Sequence, residues 1–173
     1  MDALLEFGKI LLPAGLVLYA MYLTFRSFLQ KEMEKKLLDI RMKSQEYVLP
    51  IRLQAYERMC LFLERISPKN IIPRVNNGQM TSAELHGAIL HEIREEWNHN
   101  LSQQLYMSDE AWKLVRTAME EIITVMNETR TRTEPDSRGI EFARAVIGQL
   151  MEREHEPVDY PLTFLKNEIR EVF

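Results

Sequence analysis

One cysteine in 173 residues, Cys60, excludes an intrachain disulfide. Six glycines and seven prolines are too few for a collagen-like or long low-complexity chain. No period-2 alternation of apolar and polar residues recurs, so strands are not expected. No glycine-rich phosphate loop, nucleophile elbow or His-Glu-x-x-His zinc motif occurs, which leaves no motif that demands chemistry. A net charge of -4 argues against a broad basic face for nucleic acid.

What is present is helical periodicity, one apolar run and a charge gradient. Residues 10–25 (ILLPAGLVLYAMYLTF) contain no charge, and Leu4, Leu5, Phe7, Phe28 and Leu29 flank them. About 20 apolar residues are needed to cross ~30 Å of hydrocarbon. The uncharged core supplies 16, so a span over about residues 7–27 draws on its flanks. Residues 26–45 then carry six Lys and Arg against three acidic residues, with Arg26, Lys31, Lys35 and Lys36 as a collar. A basic collar behind an apolar run points to a single-pass protein. The expected location is the inner (cytoplasmic) membrane, with the N-terminus outside and the C-terminal part cytoplasmic. The expected organisation is a transmembrane segment at 1–29, a basic amphipathic stalk at 30–49 and a cytoplasmic bundle at 50–173.

Met33, Leu37, Ile40, Ser44, Tyr47 and Ile51 recur at spacings of 4, 3, 4, 3 and 4, a heptad-like seam. Such a seam packs either on its own domain or on a second stalk, giving a homodimer. Pro50 is expected to kink or restart the helix. Beyond it, Ala55, Tyr56, Met59, Phe62, Leu63 and Ile66 share a helix face, with Cys60 on its buried side. Ser67-Pro68 ends that helix. KNIIPRVNNGQM reads as an irregular segment that packs down through Ile71, Ile72 and Val75. Thr81-Ser82-Ala83-Glu84 is a capping box opening a helix to about Leu105. Ser108 caps the next helix, a polar connector follows, and helices over 138–154 and 161–173 complete the chain. The fold class is therefore all-α: an N-terminal span, a stalk and an antiparallel bundle of four or five helices.

Two stretches, EYVLPIRLQAYERMCLFLERISP (Glu46–Pro68) and HEIREEWNHNLSQQLYMSDEAW (His91–Trp112), resemble an uncharacterised family of small single-pass membrane-anchored helical proteins from Bacteroidota. The resemblance implies a bacterial inner-membrane location and no activity.

Two Glu-x-x-His pairs, Glu96/His99 and Glu152/His155, could suggest a carboxylate-bridged metal pair, but a helical wheel turns them from the apolar stripes. No catalytic residue, metal ligand or cofactor is assigned. The less ordinary feature is on the Ile93 face, where His86, Asn100 and Gln104 accompany Trp97. They are candidates for a buried polar network or a binding surface. The resulting expectation is a non-enzymatic, membrane-tethered interaction or scaffold protein that binds an unidentified protein partner. The alternative is a small-ligand or metal-dependent enzyme or binding protein using the His86/Asn100/Gln104 region.

Overall fold

The computed structural model describes the backbone of residues 2–153 and 155–171, and the side-chain surroundings of these except 2–14, 41, 44 and 45. The described residues form no strand. They build α1 (Asp2–Ile66), α2 (Pro68–Val75), α3 (Ser82–Asn100), a 3-10 turn (Leu101–Tyr106), α4 (Asp109–Thr131), α5 (Gly139–Met151) and α6 (Asp159–Arg170). The chain divides into two compact units, Met1–Leu49 and Pro50–Phe173.

The first unit is helix alone. Where side chains are described it buries almost nothing. Leu16, Val17, Leu18 and Tyr19 are all exposed, and four consecutive residues at 100° each face every direction. Met33, Leu37, Ile40 and Tyr47 of the heptad-like seam are exposed too.

The expected single-pass span is corrected here, and with it the inner-membrane location. Among the described residues, no helix is long and apolar enough to cross a membrane. From Gly15 to Phe25 there are eleven uncharged residues. They give about 16 Å of helix at 1.5 Å per residue, half of a ~30 Å hydrocarbon core. The expectation had relied on flanks to lengthen a short core, and one of these flanks begins at Arg26. Residues 7–14 of the expected span lie outside the residues whose side chains are described.

Pro50 does not interrupt α1. A proline lacks the N–H that would bond the carbonyl four residues back, at Glu46. Both residues are exposed, so water can satisfy that carbonyl.

The second unit has a continuous core. Tyr56, Met59, Phe62, Leu63 and Ile66 from α1 meet Leu85, Ile89 and Ile93 from α3 and Val115, Ile122 and Met126 from α4. Phe142 and Val146 from α5 and Leu162 and Leu165 from α6 complete it. These are the faces that the helical spacing marks as apolar. Cys60 lies half-buried against this core. Burial raises its thiol pKa, an effect partly opposed by Lys166, while Glu64 adds to it.

The segment expected to be irregular is the helix α2. Pro68 occupies its first turn, where a missing N–H costs nothing, and Ile71 and Ile72 are buried. Among the described residues the second unit thus holds six α-helical segments, counting the end of α1, and one 3-10 turn.

The capping box is present as expected. Thr81 Oγ1 accepts from Glu84 N, and Thr81 N donates to Glu84 Oε2 at 2.9 Å. Ser108 Oγ accepts from Ala111 N at 3.1 Å to open α4. Its own N–H reaches the hydroxyl oxygen of the buried Tyr56 at 3.3 Å. A short antiparallel bridge, Thr81 to Arg138, joins the start of α3 to the segment before α5. Ser82 N donates to Ser137 O at 2.8 Å beside it, and the two serine hydroxyls lie 2.6 Å apart.

Candidate functional site

The four residues singled out on the Ile93 face do not converge. His86 is one end of the distribution. Its Nε2–H donates to Asn127 Oδ1 of α4 at 2.9 Å, and its ring meets Phe142 of α5 edge-on at 5.7 Å. Asn100 follows fourteen residues later, about 21 Å along the helix axis. It is buried, and its Nδ2 donates to Glu96 O of its own helix at 2.8 Å. Trp97 stacks on Trp112 of α4, with ring centroids 4.6 Å apart and planes 26° from parallel, and also touches Phe62 of α1 at 5.6 Å.

Gln104 is exposed. The wheel that placed it inward assumed 100° per residue as far as Leu105. The α-helix stops at Asn100, and a 3-10 turn advances about 120° per residue, so the extrapolated face is lost within one turn.

These positions make a direct test. Gln104→Leu should leave stability within about 0.5 kcal/mol, as for an exposed residue without partners. Asn100→Leu should cost about 1 kcal/mol through its lost hydrogen bond. Thermal melts of both variants decide it, and equal effects would contradict the placement.

The carboxylates near the histidines are otherwise engaged or apart. Glu96 forms an ion pair with Arg65, while His99, Glu152 and His155 are exposed. Among the described residues, no three His, Cys, Asp or Glu side chains gather so as to hold a metal ion.

Sequence reasoning missed a second polar element. Buried Thr129 donates through Oγ1 to Gln149 Oε1 at 2.7 Å, and Gln149 Nε2 donates to Glu128 Oε2 at 2.9 Å, tying α4 to α5. Glu128 and Thr129 sit in a stretch that reads as polar connector, Gln149 lies near the end of α5, and no periodic signal pairs them.

The end of α1 is part of the core, while its described side chains ahead of Pro50 are exposed. The helices of the second unit bury their apolar stripes against one another, whereas the described side chains of the first unit keep theirs exposed. Isolated exposed leucines are ordinary, but a contiguous run of large apolar residues marks an interaction surface.

Among the described residues the chain is all-helical. The chain belongs to a family of unknown function (DUF7935), whose profile matches residues 2–172. That match carries no bacterial group and no membrane anchor with it. No curated protein matches the chain. No solved structure matches it either.

Proposed function

We propose that the chain is a non-enzymatic helical interaction protein in which α1 is the assembly element and the Pro50–Phe173 unit is what it displays. One observation carries this reading. Met33, Leu37, Ile40 and Tyr47 lie at coiled-coil spacing on α1, and all four are exposed. The partner is a second copy of this chain. A heptad seam is complementary to another helix with the same repeat. The helices of the Pro50–Phe173 unit, the end of α1 included, spend their apolar faces on the core, which leaves the part of α1 ahead of Pro50 to supply one. Pairing of two identical seams is isologous and closes at a dimer. The alternative of an enzyme at His86, Asn100 and Gln104 gains nothing from the geometry, because the three side chains lie apart.

Crosslinking of the full chain tests the proposal. Cys60→Ser provides the background, and Ile40→Cys places a thiol on the seam. Lys35→Cys places one about 160° from the seam's centre at 100° per residue. A short bismaleimide should give a covalent dimer from Ile40→Cys and little from Lys35→Cys. Adding Leu37→Asp should cut the dimer yield roughly tenfold or more, since a charge would enter the apolar seam. Equal yields at both positions, or none at Ile40, would sink the seam.

A further inference from the structure

We infer that a cleft at the end of α5 binds a small aliphatic carboxylate. The cleft measures about 340 Å³ and has Ile147, Leu150 and Met151 as its apolar wall, with Lys69, Arg153 and His155 among its polar lining. Small-molecule sites run from about 300 to 1,000 Å³, so this one suits a small ligand. Met151 is 82% exposed, a large apolar side chain with little packed over it.

The polar lining sorts into groups that build the cleft and groups that do not. Glu156 Oε2 accepts from Lys69 Nζ at 3.3 Å and from the buried Ser67 Oγ at 3.4 Å. Asp159 Oδ2 accepts from Glu156 N at 3.1 Å. Those contacts hold the segment between α5 and α6 in place and occupy Lys69 in the process. Among the described residues, Arg153 and His155 enter no ion pair and no side-chain hydrogen bond.

An arginine beside an apolar wall selects an anion with an apolar body. The planar guanidinium matches a carboxylate with two parallel N–H donors. A phosphomonoester is disfavoured. It carries about -1.5 to -2 charge at neutral pH and would face the carboxylates of Glu156 and Asp159. A single negative charge on a short alkyl chain is the chemistry that fits both halves of the cleft.

The test uses the full chain and an octanoate analogue bearing a photoreactive diazirine at the end of its chain, with labelled peptides mapped by mass spectrometry. Labelling should fall on residues 147–151. Octanoate should compete for it, whereas octylamine, with the same tail and opposite charge, should not. Arg153→Glu should lower labelling roughly tenfold or more, because it removes both N–H donors and sets a like charge against the ligand. Met151→Asp should lower it independently. Both residues are exposed, so unchanged melting temperatures will show that neither variant acts by unfolding. Labelling confined to the apolar residues of α1, equal competition by octylamine, or full labelling in Arg153→Glu would each overturn the assignment.

Discussion

Phe62→Ala should cost about 3–5 kcal/mol, the range for removing a large aromatic from a packed core. Phe62 is 1% exposed and touches Trp97 of α3, which in turn stacks on Trp112 of α4. Its ring therefore joins three helices, and an alanine would leave a cavity with rigid aromatic walls unable to collapse into it. Domains of this size are stable by about 5–15 kcal/mol, so the loss is a large share of the total. At about 3–5 °C per kcal/mol the melting temperature should fall by roughly 10–25 °C. The chain's two tryptophans are the two rings of this stack, so their fluorescence reports on the region that Phe62 supports. Phe62→Leu keeps most of the volume and should cost less than about 1.5 kcal/mol. A loss below about 1 kcal/mol in Phe62→Ala would show that the stack does not depend on this contact.

The parts of this fold that were legible in the sequence are those governed by nearest neighbours along one helix. The face running from Ala55 to Ile66 is buried residue by residue. The caps at Thr81 and Ser108 could be read because a cap is a local bond between residues three apart. What could not be read depended on context. α2 carries two prolines and precedes an Asn-Asn-Gly turn, which looks like loop. Burial of Ile71 and Ile72 nevertheless rewards a helix, and Pro68 starts one without penalty. The end of α3 was missed because α and 3-10 geometry differ by about 20° per residue, a difference invisible to periodicity over six residues. Gln104 went from candidate site to exposed surface for that reason alone. His86 stands out as a polar residue on an apolar stripe, but its partner Asn127 lies 41 positions away on α4, beyond the reach of local spacing. The apolar run at the N-terminus was legible as a run. Its length was the weak point, since charges close it at Arg26.

The long-range bridge between the starts of α3 and α5 carries the second large effect, and it turns on Gly139. Gly139 N donates to Met80 O at 2.8 Å. A Cβ at this position would stand 2.9 Å from that same carbonyl oxygen and 3.2 Å from Leu85 Cδ2. The carbonyl cannot retreat without lengthening the hydrogen bond it accepts, and Leu85 is fully buried. The requirement is for space, since Gly139 is not among the positive-φ glycines. Gly139→Ala should therefore cost about 1–3 kcal/mol as overpacking, and Gly139→Val should reach or exceed the upper figure because its methyl groups also press on Leu85. The strain would spread into the adjoining Ser82–Ser137 contacts and loosen the start of α3 beside its capping box. Gly148 supplies the control. It lies in α5 with nothing within 4 Å of an added Cβ. Gly148→Ala should stabilise by about 0.5–1 kcal/mol, the helix-propensity difference between the two residues. Urea unfolding of the two alanine variants should thus move in opposite directions from the parent chain. Matching shifts would mean that the Met80 carbonyl yields freely and that the bridge to α5 is not a fixed contact of the fold.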